Sequence, residues 1–329
     1  MRVAVVGLGF GELHARALSK IEEISELALC DRDQKRLLQV AEKYDKVTYL
    51  TTSYQEVLTD KTIQAVTLAI PHYLHYALAE KALQSDKHVY CEKPLTTDFE
   101  SGKRLVKLAQ ERNLLLTTGL NMRYYEHYQK AHLLLQQGAI GKVFLVECFA
   151  RANARGLGGF RLKKEQAGGG CLIDSGAHRF DLLRWLLGPI KEIYAKGGNF
   201  VLQQMEGEDT AVVNLHFENG ILGTMVCSWG TQVPKWDEGI NIYGDQGTLY
   251  LWDHNLSLRL RNYQGKEEIY IGKISYEDSV LLSIKDFIEK IHIGNFQIDL
   301  VRNLAHLQLV EAAYQSMQSN IVFKINNPI

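Results

Sequence analysis

Lys93 and the pair Asp174 and His178 are the residues of this chain best suited, by type and spacing, to move a proton at a reacting carbon. Lys93 sits in Tyr90-Cys91-Glu92-Lys93-Pro94, where a charged pair follows an apolar run and Pro94 holds the lysine extended. Beside a positively charged ring such a lysine has its proton affinity lowered and can donate to a substrate oxygen. Asp174 and His178 lie in Gly168-Gly169-Gly170-Cys171-Leu172-Ile173-Asp174-Ser175-Gly176-Ala177-His178, a glycine run leading into the amphipathic stretch Phe180 to Leu187. A helix starting at Asp174 turns both side chains the same way. Histidine titrates near neutral pH and can take a hydroxyl proton, while an aspartate can orient hydroxyls. The plain alternatives are an exposed loop lysine and a capping aspartate beside a core histidine.

A second kind of chemistry is written at the N-terminus, in Gly7-Leu8-Gly9-Phe10-Gly11. An apolar run ends in Gly7 and a helix begins at about Glu12, which gathers unpaired backbone N–H groups at a helix N-terminus, where partial positive charge favours a pyrophosphate. A glycine-rich turn alone would look similar. Asp31 adds weight, since an acid closing the strand Leu27 to Cys30 is placed to accept from the ribose hydroxyls of an adenine dinucleotide. Its other possible role is to cap the helix beginning near Asp33. In G-x-G-x-x-G the third glycine would stand at position 12; here Glu12 stands there and Gly11 comes one residue early. Asp31 would repel a 2'-phosphate and Arg32 could attract one, so the cofactor is NAD or NADP, with NAD favoured.

These residues need a scaffold, and the first part of the chain supplies the signals of one. Val3 to Val6, Leu27 to Cys30, Ala65 to Ile70, His88 to Cys91 and Leu114 to Thr118 are short apolar runs alternating with amphipathic stretches such as Tyr73 to Gln84 and Phe99 to Arg112. That alternation predicts right-handed β-α-β crossovers and a doubly wound parallel sheet, an α/β Rossmann domain over residues 1–120. Asn121 and the segment holding Lys93 then fall near the carboxyl ends of the strands, where ligands bind in open α/β sheets. After a helical stretch around Tyr124 to Gln137 the rhythm changes to hairpins: Ala211 to Phe217 with Ile221 to Trp229, Ile240 to Tyr243 with Thr248 to Trp252, then Leu256 to Arg261. Two helices, near Val280 to His292 and Leu300 to Met317, close the chain. Residues 121–329 are therefore expected to form an α+β domain with a large, mostly antiparallel open sheet.

Composition narrows the partners. Lys plus Arg number 37 against 38 Asp plus Glu, so no positive surplus exists to hold nucleic acid or an anionic membrane. Cys30, Cys91, Cys148, Cys171 and Cys227 are scattered and odd in number, which reads as buried thiols in a reducing, cytoplasmic setting. The apolar run after Arg2 is too short for a signal peptide, and no stretch reaches the roughly 18 apolar residues of a membrane span. His72 and His75 lack an evident third metal ligand, so no metal is expected. His14 is expected to pack beneath the glycine loop.

The glycine loop, Ile70-Pro71 followed by His75, Glu92-Lys93-Pro94 and the Gly168-to-His178 run occur in this order and spacing in the glucose-fructose oxidoreductase and inositol dehydrogenase (Gfo/Idh/MocA) family. The chain resembles a member along essentially its whole length. The resemblance implies a second domain whose open sheet is often used for dimer contacts, hence a homo-oligomer, dimer or tetramer. It implies that His178 is the acid/base, that Lys93 binds the reacting hydroxyl, and that Asp174 orients substrate. Pro71, His72 and His75 match a loop near the cofactor, with His72 where asparagine is more usual, and the Lys93-Pro94 bond is expected to be cis.

Gly7, Gly9, Phe10, Gly11, Asp31, Arg32, Ile70, Pro71, His72, His75, Glu92, Lys93 and Asn121 thus form the expected cofactor set, with Arg123 and Arg161 as candidates to line the substrate. The leading function is reversible hydride transfer between a nicotinamide and a hydroxyl-bearing carbon of a sugar, cyclitol or similar small molecule. NAD-dependent glycoside hydrolysis, a non-catalytic dinucleotide sensor and an unrelated pigment reductase are the alternatives.

Overall fold

A computed structural model of the chain describes residues 1–233, 236–294 and 296–325, without the side chains of residues 297 and 298. It divides into two compact units: Met1–Asn121 with Tyr276–Leu304, and Met122–Ser275 with Ala305–Ile329.

In the first unit, strands β1 (Arg2–Val6), β2 (Glu26–Cys30), β3 (Val47–Thr51), β4 (Ile63–Leu68), β5 (His88–Cys91) and β6 (Leu116–Thr118) alternate with helices α1 (Glu12–Ser19), α2 (Gln34–Ala41), α3 (Tyr54–Thr59), α4 (His75–Gln84) and α5 (Phe99–Glu111). All six strands are parallel, in the order β3-β2-β1-β4-β5-β6. The order reverses between β1 and β4, which sets the loop after β1 beside the loop after β4. Five of the strands lie on the apolar runs read from the sequence. β3 does not, because it is an edge strand whose residues alternate between half-exposed and exposed until Thr51, so no apolar block announces it.

The second unit holds α6 (Glu126–Gln136), β7 (Val143–Arg151), α7 (Lys164–Ala167), α8 (Ala177–Leu187), β8 (Ile190–Gly198), β9 (Thr210–Phe217), β10 (Leu222–Ser228), β11 (Asp237–Gly244), β12 (Gly247–Trp252), β13 (Ser257–Asn262) and β14 (Glu267–Ile271). Then come α9 (Tyr276–Ile293), α10 (Gln297–Ser319) and the short β15 (Phe323–Lys324). Nine strands form one sheet, β14-β13-β12-β11-β7-β10-β9-β8-β15, antiparallel throughout except where β7 meets β10. Val146, Cys148 and Ala150 of β7 are buried with Phe180, Leu183 and Leu309 in one core, while the intervening Leu145, Glu147 and Phe149 stay partly exposed. That alternation is what a sheet covered on one face requires.

One segment packs differently from the expected division at residue 120. Val280, Ile284, Phe287 and Ile288 of α9 bury against Leu18, Ile21 and Tyr90, inside the core of the first unit. Chain order put α9 with the second half; its apolar face puts it with the first. All five cysteines are buried free thiols, and no described helix is long and apolar enough to cross a membrane.

Candidate active site

The glycine loop is dictated by close packing below and room above. Gly7 has φ +82°, and a Cβ there would lie 2.5 Å from the Ala69 carbonyl oxygen; at Gly11 it would lie 2.0 Å from that of Gly7. At Gly9 a Cβ would meet nothing within 4 Å. Two glycines therefore let the loop press against the chain after β4, and the third leaves open space over it. α1 starts at this loop with no side-chain cap, so the N–H groups of its first turn are not claimed by a side chain. Phe10 leans edge-on against His14 and Tyr276.

Asp31 fastens the same loop. Leu8 N–H donates to its Oδ2 at 2.6 Å and Asp33 N–H to its Oδ1 at 2.9 Å. The cap of α2 is Asp33, which accepts from Lys35 and Arg36 N–H, so Asp31 is left for the loop. Arg32 is exposed, and Arg36 comes within 3.8 Å of the Asp31 carboxylate.

The Lys93-Pro94 peptide is cis, as expected. Glu92 is gripped by His14, whose Nε2 lies 3.1 Å from Oε1, and its Oε2 accepts from Lys93 N–H at 3.3 Å. Gly119 is required here, because a Cβ would stand 2.8 Å from Glu92 Oε1. His75 is wholly buried, with Nδ1 2.6 Å from the Pro94 carbonyl and Nε2 2.8 Å from that of Ile70. It therefore supports both loops from behind instead of meeting a ligand directly. His72 is also buried, its ring 5.6 Å from that of His75. Asn121 follows β6 and is buried; its amide donates to Ser279 Oγ at 2.7 Å, which commits that nitrogen to α9.

In the second unit Asp174 and His178 are both buried, His178 in the first turn of α8 and Asp174 just before it. Asp174 does not open an ordinary helix, as the spacing suggested, but lies within a wide π-helical turn, Leu172–Gly176. Such turns recur at functional sites. Trp229 Nε1 donates to Ser175 Oγ at 3.0 Å. Arg161 Nε donates to Asp174 Oδ2 at 2.8 Å, so Arg161 is brought to the candidate site. Arg123 is not so placed by its contacts: its guanidinium makes a two-point pair with Asp181 and lies over Trp185.

A support of this turn and a buried cation beside His178 have no local signal in the sequence. Glu208 Oε1 accepts from Gly170 N–H, Leu172 N–H and Tyr314 O–H at 3.1, 2.9 and 2.9 Å. Burial pushes its carboxyl up while those donors oppose the rise. The glycine run is the price of this contact, since a Cβ at Gly170 would fall 1.9 Å from the Glu208 carbonyl oxygen. Arg179, next to His178, is fully buried and donates to Tyr128 Oη at 2.8 Å and Asp253 Oδ2 at 2.7 Å, with Glu238 at 2.9 Å. Although burial alone would raise Asp253, Arg179 and His127 hold its carboxyl down to about 2.

Residues 1–120 match the model of the oxidoreductase family with an NAD-binding Rossmann fold, and residues 128–250 that of the GFO/IDH/MocA C-terminal domain. The chain belongs to the Gfo/Idh/MocA family.

An uncharacterised oxidoreductase of Synechocystis is 32% identical over 78% of this chain and 72% of its own. Myo-inositol 2-dehydrogenase of Thermotoga maritima is 29% identical over 89% of each. The solved structure of levoglucosan dehydrogenase with NADH and levoglucosan superimposes with a TM-score of 0.92 at 18% identity, covering 100% of both chains, a likeness of fold.

As a member of this family the chain is an NAD(P)-dependent oxidoreductase. Its loop suits a dinucleotide on its own geometry: the space over Gly9 is open, the uncapped start of α1 offers N–H donors, and Asp31 follows β2 and is bonded to the loop. Among the described residues no group of three His, Cys, Asp or Glu side chains could hold a metal ion.

Proposed function

We propose that this protein catalyses reversible hydride transfer between a nicotinamide and a hydroxyl-bearing carbon of a sugar, cyclitol or related polyol. The observation that carries this reading is the buried pair Asp174, in the π-helical turn, and His178, in the first turn of α8, with Asp174 held by Arg161. A binding sensor has no need of a proton-transfer set. The names of myo-inositol 2-dehydrogenase and levoglucosan dehydrogenase give the substrate class its support.

Gly7, Gly9, Phe10, Gly11, Asp31, Ile70 and Pro71 would hold the dinucleotide, with Arg32 at the adenosine side. When bound, the nicotinamide supplies the C4 position that exchanges a hydride with the substrate carbon. His178 takes the hydroxyl proton during oxidation and returns it during reduction. Lys93 donates a hydrogen bond to the reacting oxygen, and Asp174 accepts from a neighbouring hydroxyl. Arg161 holds Asp174 in aim through the bond to its Oδ2. NAD is the favoured cofactor, because the Asp31 carboxylate would repel a 2'-phosphate.

A homo-oligomer built on the uncovered face of the nine-stranded sheet is part of the same reading. Phe149, Tyr243, Tyr250 and Trp252 share that face with Glu147, Arg151 and Arg259, apolar and oppositely charged groups that a second copy would present in turn. A cytoplasmic setting is in keeping with five free, buried thiols. The reading is tested by assaying a panel of sugars and cyclitols with NAD and NADP separately, in the wild type and in His178→Ala.

A further inference from the structure

Two buried imidazoles grip the Glu92-Lys93-Pro94 turn from its two ends. His14 has no exposed surface and packs edge-on against Phe10 and Tyr90, with ring centroids 5.8 and 5.4 Å away. A carboxylate only accepts, so the contact to Glu92 Oε1 at 3.1 Å needs the proton on Nε2. Its Nδ1 is buried and without a partner. A buried polar nitrogen left without a partner is costly, and a phenylalanine would fill the same space between the two rings without that cost.

His75 repeats the pattern at the other end. The carbonyls of Pro94 and Ile70 also only accept, so bonds at 2.6 and 2.8 Å to both ring nitrogens need an N–H at each. A neutral ring has only one. Burial pushes His75 toward the neutral form, opposed by the two carbonyls and by Glu92, and reinforced by Lys93. An apolar side chain would again avoid the conflict. Both rings thus accept an electrostatic penalty at a position where each holds an immediate neighbour of Lys93.

We propose that His14 and His75 are positioning residues for Lys93, His14 acting through the Glu92 carboxylate and His75 through the Pro94 carbonyl. Neither touches substrate. The inference rests on the assignment of Lys93 to the reaction, and it goes beyond that assignment by naming what fixes the lysine. A misplacement of about 1 Å at a reacting group is enough to cost about 10²-fold in rate.

Side-chain amides separate this role from simple core filling. Asn sets its amide nitrogen near the place of Nδ1 and Gln near that of Nε2. His75→Asn is therefore expected to keep the Pro94 bond and His75→Gln to lose it, while His14→Gln keeps the Glu92 bond and His14→Phe loses it. Two readouts are taken on the full chain, with thermal melting to verify folding: kcat on the best substrate of the panel, and the rate at which an amine-reactive ester labels Lys93, followed by peptide mass spectrometry. The second needs no substrate.

The expected result is that His75→Gln and His14→Phe lose about 10² in kcat and change Lys93 labelling about threefold or more, with other lysines unaffected. His75→Asn and His14→Gln retain most of what their counterparts lose. Equal behaviour within each pair, in both readouts, would overturn the proposal. If one His75 variant fails to fold, the His14 pair decides on the same measurements. Should Lys93→Ala keep full turnover, the catalytic assignment of Lys93 falls separately, and the labelling comparison still decides whether the histidines position it.

Discussion

Leu8 N–H donates to the Asp31 carboxylate at 2.6 Å, so the acid closing β2 is tied to the middle of the glycine loop. The loop is shorter by one residue than the usual G-x-G-x-x-G, and this bond holds its first turn in place. Asp31→Ala removes a charge-assisted bond and is expected to weaken dinucleotide binding by about 10- to 100-fold, from about 1.5–3 kcal/mol. Titration of cofactor fluorescence measures it. The same titration with NAD and NADP tests the preference: the wild type is expected to favour NAD, and Arg32→Glu to weaken NADP binding while sparing NAD. Unchanged affinities would remove both residues from the cofactor's surroundings.

Arg161 and Asp174 form a pair in which the guanidinium is more than a third exposed and the carboxylate nearly buried. Asp174→Asn is expected to lower kcat/KM by about 10², and Arg161→Ala by about tenfold, because the aspartate remains but loses its aim. The double variant should fall well short of the product of the two effects, since the residues act as a unit. Additive losses would show that Arg161 acts elsewhere.

Stability should depend on pH through His88. Burial pushes its imidazole down to about 4 from 6.5, and its Nδ1 accepts from Leu115 N–H at 2.9 Å, which requires that nitrogen to be unprotonated. A depressed folded-state value means the unfolded chain binds the proton more readily. The contribution is therefore complete above about pH 6.5 and is lost as pH falls toward about 4, a change of about 3 kcal/mol. Urea denaturation across that range should show the decline, and His88→Asn, whose Oδ1 can accept from the same N–H, should flatten it. An equally steep decline in His88→Asn would assign the effect to other groups.

The uncovered sheet face predicts association. Sedimentation equilibrium is expected to find a dimer or tetramer, and Tyr250→Asp on that face to shift it toward monomer. A wild-type monomer would leave the face without the proposed partner.

What could be read in the sequence was what neighbouring residues dictate to one another. The β1 run into Gly7, the hairpin of β9 and β10, and the glycine run before His178 each declare themselves within a few residues. β7 does not: it pairs with β10 and β11, far along the chain, and no turn signal links it to either. Chain order places α9 with the second half, because nothing local reveals that Phe287 and Ile288 face the core of Val3 and Val5. Lys93, Asp174 and His178 are legible as residue types in a recurring pattern. Their supports were not. Glu208 reaches Gly170 and Leu172 from 38 and 36 residues away, and Arg179 stands beside His178 but turns to Asp253, a partner only the folded sheet supplies.

Asp174 and His178 are expected to serve a net redox reaction on a polyol. Its most direct test follows absorbance at the reduced-nicotinamide band with the sugar and cyclitol panel, in the wild type and His178→Ala, with cofactor affinity measured alongside. At least one substrate is expected to reduce NAD in proportion to product formed, and His178→Ala to lose about 10² or more of this rate while binding cofactor as before. Release of sugar without net reduced cofactor would indicate hydrolysis instead, and unchanged turnover in His178→Ala would exclude His178 as the acid/base.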